Sequence, residues 1–280
     1  MIPAAFTYQR ASSVDDALAA LASGDAKVLA GGMSILPLMK LRLAQPGRLV
    51  DIGRLSELRS MGPTADGGFE VGALVTYAEA LDATSLAIAR ECISGIGDLQ
   101  VRNRGTIGGG ISHADPASDL PALALALDYS AVLRSSRGER TVALDGFFTG
   151  PFATVMDPDE LIIRIVRPAL PDGAGGAFRK LGNPASGYSI VGVAAVVAMS
   201  GGSVSHARVA LTGVHEHAYR APEVEAALVG SDGSPAAVAA AAEHATVQVE
   251  VTGDIHADRD YRARMAVVHT RRAIDAALGR

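Results

Sequence analysis

Residues 97–119 read GDLQVRNRGTIGGGISHADPASD, and well upstream of them residues 30–34 read AGGMS. Both are read as glycine-paired turns reached from apolar runs. Glycine lacks a Cβ, so such a turn lets backbone N–H groups converge on an anion. Neither run carries the lysine of a phosphate-binding triphosphate loop. Two separate cradles suit an extended ligand with a pyrophosphate at its middle, which is read here as a dinucleotide, specifically FAD.

Working outward from the first cradle, residues 27–30 form a short apolar strand that runs into Gly31 and Gly32. A helix opens from Ser34, with Pro37 tolerated in its first turn. Strand, glycine turn and helix N-terminus together bind phosphate through backbone dipoles. Before them, Ser12 and Ser13 offer an N-cap to a short amphipathic helix carrying Asp15 and Asp16 in its first turn. After them, residues 48–52 are a strand, which completes a small β-α-β unit. Residues 69–73 are another strand, Thr76 and Glu79 have capping-box spacing, and residues 85–96 are helical by periodicity.

Beyond the central stretch, Ser118 to Pro121 open an apolar helix that ends near Asp128. Residues 131–134 and 140–144 form a hairpin, and residues 161–166 a further strand. Residues 171–176, PDGAGG, are the best linker in the chain. Past it the texture becomes α+β: strands at 177–181, 189–199 and 204–214, the last two antiparallel, and then helices at 222–229, 235–247 and from about 258. In the last helix Tyr261, Met265, Val268 and Ile274 are expected on one core face.

Composition excludes several function classes. The chain has 280 residues, 49% hydrophobic and 20% charged, with a net charge of −5. Weak acidity argues against nucleic acid or an anionic membrane surface, which require a clustered basic face. Tryptophan is absent and aromatic residues make up only 4%, which removes stacking platforms for single strands. No window reaches the length of an apolar membrane span, and the N-terminal segment lacks the pattern of an export signal, so a cytoplasmic location is expected. The single cysteine, Cys92, cannot hold an iron–sulfur cluster, so redox chemistry falls to an organic cofactor or a partner chain. Cys92 itself reads as a buried apolar residue.

The blocks AGGMS (30–34) with PLMK (37–40), RNRGTIGG (102–109), HADPASD (113–119), the strand at Glu160-Leu161-Ile162 and Phe178-Arg179-Lys180 occur in one order over essentially the whole chain. Together they closely resemble the FAD-binding medium subunit of the molybdenum hydroxylases, relatives of xanthine dehydrogenase and aerobic carbon monoxide dehydrogenase. The resemblance implies an α+β fold. A two-lobed FAD domain of vanillyl-alcohol-oxidase (PCMH) type would occupy residues 1–170, with lobes of about 1–55 and 56–170. A CO dehydrogenase flavoprotein-like C-terminal domain would occupy 176–280.

It further implies FAD contacts from Ala30, Gly31, Gly32, Met33 and Ser34, from Thr106, Ile107, Gly108 and Gly109, and from Asp119, Leu161 and Lys180, with Tyr188 near the isoalloxazine. Met33 excludes a histidyl–flavin bond at its position, so FAD is expected to be non-covalent. Gly110 extends the second glycine pair to three. No catalytic or metal-ligating set is expected on this chain: His113 and Asp115, and likewise His215 and His217, lack a third ligand at a diagnostic spacing. Arg102 and Arg104 either position a partner chain or cap loop carbonyls.

By the same resemblance, a large molybdopterin-binding subunit hydroxylates substrate, and a small subunit with two-iron clusters relays electrons to this FAD. The assembly would be a dimer of heterotrimers, a heterohexamer, that reduces an external acceptor. A self-sufficient flavin oxidase of the same fold is the alternative, and a flavin-loaded assembly module without turnover is a third reading.

Overall fold

The computed structural model describes residues 2–280. The first lobe runs β1 (Thr7–Arg10), α1 (Val14–Ala22), β2 (Ala26–Leu29), α2 (Ile35–Lys40) and β3 (Arg48–Asp51). Strand β3 is central and parallel to both neighbours. The side chain of Ser13 caps α1 by accepting from the Asp16 amide, while Val14, Ala17, Leu18 and Leu21 bury its apolar face. Strand β1 is missing from the sequence reading because TYQR has no apolar alternation and three of its four residues are exposed. Its order comes from pairing with β3.

The second lobe contains β4 (Met61–Pro63), β5 (Phe69–Gly72), α3 (Tyr77–Ala83), α4 (Ala87–Ser94), α5 (Leu99–Arg104), α6 (Ile107–His113), α7 (Asp119–Ala126), β6 (Ser130–Ser135), β7 (Gly138–Ala143), the small pair β8 (Phe148–Gly150) and β9 (Ala153–Thr154), and β10 (Leu161–Arg167). Its antiparallel sheet has the order β4-β5-β10-β6-β7. Strand β10, LIIRIVR, is apolar on both sides because both of its faces are covered. Leu161 and Ile163 join the first lobe's core. Ile162 and Ile165 join the core built with the helices, on either side of a register shift between Ile162 and Arg164.

The third part contains β11 (Gly175–Gly182), β12 (Ser189–Ser200), β13 (Ser203–Thr212), β14 (Tyr219–Arg220), α8 (Pro222–Leu228), α9 (Pro235–Ala242) and α10 (Arg259–Ala277). The four strands form an antiparallel sheet in chain order. Alternation divides its central strands between two cores. Val191, Val193, Val209 and Leu211 face α8, α9 and α10. Ala194, Val196 and Ala210 share a core with Leu120 and Leu123 of α7. Helix α7 is thus packed between two sheets, which explains why all eight of its residues are buried and why it is apolar all round.

Two expectations about the C-terminal helices are corrected. Helix α9 ends at Ala242, short of the expected 247. On α10 the buried face is Arg262, Ala266, His269, Thr270, Ala273, Ile274 and Ala277, whereas Tyr261 is exposed and Met265 and Val268 are half-buried. An arginine takes the interior position because its guanidinium donates to the carbonyls of Ile190 and Gly213 and pairs with Asp254 at 2.6 Å. A charge so satisfied is tolerated where hydropathy alone expects an apolar residue.

Candidate functional site

A cleft of about 780 Å³ opens where the three parts meet, within the size range of small-molecule sites. The first lobe supplies the loop after β2, the second lobe supplies α6, the start of α7 and the start of β10, and the third supplies the loop at 186–188. Of the residues singled out from the sequence, Ala30, Gly31, Gly32, Met33, Ser34, Thr106, Gly108, Gly109, Asp119, Leu161 and Tyr188 line it together. Ile107 does not: it is buried, pointing into the apolar core behind the cleft. Lys180 is absent from the lining and reaches the cleft through Asp119.

The two glycine runs play different parts. In the first, the amides of Gly31, Gly32, Met33 and Ser34 donate to no acceptor among the described residues, and Ser34 makes no side-chain cap to α2. Gly32 sits at φ +80°, a conformation that glycine adopts at little cost. This is an open row of donors suited to a diphosphate.

The second run corrects the expectation of a matching cradle. Gly108, Gly109 and Gly110 lie in the first turns of α6, and their amides are taken. Those of Ile107 and Gly108 donate to the carbonyls of Val75 and Ala73, that of Gly109 to Thr106 Oγ1, and that of Gly110 to the Thr106 carbonyl. These glycines serve close packing. A Cβ on Gly108 would meet Ala73 at 2.6 Å, and one on Gly110 would overlap the Tyr77 hydroxyl. The third glycine thus accommodates Tyr77.

The runs also interlock. A Cβ on Gly31 would fall 1.9 Å from the Arg104 carbonyl oxygen, so the first lobe's loop rests on the end of α5. Arg102 donates to the carbonyls of Ile96 and Gly97, both at 3.0 Å, which assigns it to loop capping. The side chain of Arg104 has no hydrogen-bond partner within the chain among the described residues.

Under the cleft lies a buried charge. Asp119 is 4% exposed. Its Oδ1 accepts from Ser189 Oγ at 2.5 Å and its Oδ2 from Lys180 Nζ at 2.5 Å. Lys180 also donates to the Gly95 carbonyl at 3.0 Å. Burial pushes the Asp119 carboxyl above its ordinary range, and Lys180 and Ser189 oppose that rise. Cys92 is fully buried nearby, its thiol pushed well up by burial, so it is unreactive. The ammonium of Lys180, named from the resemblance as an FAD contact, is committed to a carboxylate and a carbonyl.

Sequence reasoning missed Ser189, and it missed how the third part holds the cleft loop. Thr212 Oγ1 donates to the Pro116 and Ser118 carbonyls, 2.8 Å each, and the amides of Gly213 and Ser189 donate to Pro116 and Ala117. No local signal marks Thr212, because its partners lie more than ninety residues away. Tyr188 is 48% exposed at the rim. His113 stacks with Phe152 at 5.1 Å, and burial lowers its pKa. His215 and His217 pair edge to face and do not line the cleft, and no group of three or more His, Cys, Asp or Glu side chains converges among the described residues.

The open amide row, a long cleft and a rim without bulky side chains at Gly31, Gly32 and Gly109 fit FAD. Comparison with known proteins agrees. Residues 4–170 match the family model described as FAD binding domain in molybdopterin dehydrogenase, and residues 176–277 that of the CO dehydrogenase flavoprotein C-terminal domain. The chain is 41% identical to the carbon monoxide dehydrogenase medium chain of Hydrogenophaga pseudoflava, covering 100% of this chain and 99% of that one. The solved carbon monoxide dehydrogenase of that organism superposes with a TM-score of 0.96 over the same shares. Identity to the glyceraldehyde dehydrogenase medium chain of Sulfolobus acidocaldarius is 36%, over 98% of each. Quinoline 2-oxidoreductase from Pseudomonas putida 86 superposes at a TM-score of 0.91 with 33% identity, over 100% of this chain and 99% of that one.

Proposed function

We propose a specific role for this chain, which belongs to the family of FAD-binding medium subunits of the molybdopterin dehydrogenases: it is the electron-transfer subunit of a molybdenum-containing hydroxylase. It takes electrons from iron–sulfur clusters on a small partner subunit and passes them to an external acceptor, while a large molybdopterin subunit carries the substrate. The observation that carries this reading is the row of unengaged amides at Gly31 to Ser34, facing a cleft shared by all three parts of a chain that matches medium chains end to end.

FAD, when bound, supplies the redox chemistry. The chain's own residues place it. The amides of residues 31–34 balance the diphosphate without a dedicated arginine. Gly108 and Gly109 let the ligand lie against the backbone of α6. Asp119, held by Lys180 and Ser189, presents a fixed carboxylate at the start of α7. Tyr188 covers the rim. Residues 1–170 form the FAD domain and 176–280 the C-terminal domain that braces it, and the assembly is a cytoplasmic dimer of heterotrimers. The two relatives named as medium chains favour this reading over a self-sufficient oxidase.

The test is purification of the tagged chain from its host, with an absorption spectrum, metal analysis and sizing of what co-purifies. Flavin bands with iron–sulfur shoulders, molybdenum and two further chains are expected. A lone yellow protein that oxidises a small substrate with oxygen would overturn the reading.

A further inference from the structure

Behind the flavin cleft, between the five-stranded sheet and helices α3, α4 and α7, lies a second, separate cavity of about 110 Å³. Its floor is aliphatic: Ile93, Ile107, Leu120, Leu123 and Ile165 are all buried. Its polar lining is Thr84 and Ser85 of the α3–α4 turn together with the neighbouring Tyr129 and Arg167 of the sheet. Ala83 and Ser85 line it and are exposed, so the cavity has a mouth.

Arg167 is unlike the other arginines of this sheet. Arg134, Arg140 and Arg164 are each ion-paired, whereas Arg167 forms no ion pair among the described residues. Its Nη1 donates to the neighbouring Pro168 carbonyl at 3.0 Å, the Tyr129 side chain lies within hydrogen-bonding reach of its guanidinium, the guanidinium carbon sits 5.6 Å from the centre of the Phe69 ring, and its buried Nε has no hydrogen-bond partner. A buried donor left unpaired is costly, and a carboxylate is the partner that satisfies a guanidinium best.

We propose that this cavity is a binding site for a small aliphatic carboxylate, its chain in the apolar floor and its head on Arg167. A cavity of roughly 150 Å³ takes benzene. The carboxylate stays beside Arg167, so the smaller space has to hold only the hydrocarbon tail, about four carbons of a five-carbon acid.

The site stands back to back with the flavin cleft. Ile107 lines the cavity while Thr106 and Gly108 line the cleft, and Leu120 lines the cavity while Asp119 lines the cleft. An occupant therefore packs against the first turns of α6 and α7 and stiffens the wall the two sites share. The proposal does not depend on what the cleft holds.

The test is titration of the purified full-length chain with valerate, 1-pentanol and pentylamine, followed by methyl NMR of labelled isoleucine and leucine. Valerate is expected to shift the methyls of Ile93, Ile107, Leu120 and Ile165 selectively and to bind at least tenfold more tightly than pentanol, with no shifts from pentylamine. Arg167→Gln should equalise acid and alcohol. Ala124→Leu, which fills the cavity, should abolish both while leaving the far-ultraviolet spectrum unchanged. If that variant misfolds, Arg167→Gln still decides the matter. Equal binding of acid and alcohol by the unaltered chain, shifts scattered elsewhere, or no shift up to tens of millimolar would each overturn the proposal.

Discussion

Lys180 Nζ stands 2.5 Å from Asp119 Oδ2, and the pair joins β11 of the C-terminal sheet to the first turn of α7 beneath the cleft. Side-chain exposures of 15% and 3% make this a buried ion pair, whose breakage strands a charge. Lys180→Met is expected to cost about 3–5 kcal/mol at neutral pH. Adding Asp119→Asn should recover part of that loss, because no carboxylate then remains unpaired. The deficit depends on pH with a definite sign. Burial raises the Asp119 pKa, and removal of Lys180 raises it further. The stability associated with the protonated acid is therefore present below the unfolded pKa and lost as pH rises through the folded one. Chemical denaturation between pH 4 and 8 should show the variant closest to wild type at the acid end. A uniform deficit across that range would rule out this role for the pair.

The contact of Gly31 with the Arg104 carbonyl yields a second prediction. The 1.9 Å clash of an added Cβ is with backbone, so neither side yields by a rotamer change. Gly31→Ala is expected to destabilise the chain by about 1–3 kcal/mol and to lower FAD affinity at least tenfold, read by flavin fluorescence on dilution. Gly62→Ala, where an added Cβ meets nothing within 4 Å, is the control and should retain both.

These two sites also mark how far the sequence is legible. Features set by neighbours along the chain were read directly: the Thr76–Glu79 capping box has both of its hydrogen bonds, and the β12–β13 hairpin has the expected pairing. Ala30 to Ser34 and Asp119 do meet in one cleft. What escaped was set by distant partners. Gly108 to Gly110 look like a second anion cradle, but Ala73 takes the Gly108 amide and Thr106 those of Gly109 and Gly110, while Ala73 and Tyr77 fill the space beside Gly108 and Gly110. Nor does the sequence mark Lys180 and Asp119, 61 residues apart, as an ion pair. Strand β1 and the buried face of α10 failed for the same reason: pairing with β3, and the carbonyls around Arg262, outweigh local hydropathy.

Thr212 allows a test of whether the C-terminal domain shapes the cleft or merely sits beside it. Its fully buried hydroxyl holds the Pro116 and Ser118 carbonyls, just ahead of α7. Thr212→Val keeps the shape and removes the donor. About 1–3 kcal/mol of stability should be lost, and FAD should dissociate faster in stopped-flow measurements. Thr212→Ser should restore both. An FAD off-rate unchanged in the valine variant would confine Thr212 to a packing role.

A last prediction concerns the opposite wall, where Glu160 lines the cleft beside Leu161. Its Oε1 and Oε2 accept from Arg140 Nε at 2.6 Å and Nη2 at 2.7 Å, and its Oε2 also accepts from the Asp157 amide at 2.8 Å. The Arg140 guanidinium is the main reason the Glu160 pKa lies below its ordinary value. A carboxyl depressed in the folded state contributes stability that is present above its unfolded pKa and lost as pH falls through its folded one. Arg140 is 45% exposed on its side chain, so solvent screens the pair and Arg140→Gln should cost about 1 kcal/mol at pH 7. The Tm difference from wild type should then close as the pH is lowered past the ordinary glutamate pKa of about 4.3, because both proteins come to carry a protonated Glu160. A difference that persists at acid pH would mean that Arg140 acts through its donation to the Val155 carbonyl rather than through the charge of Glu160.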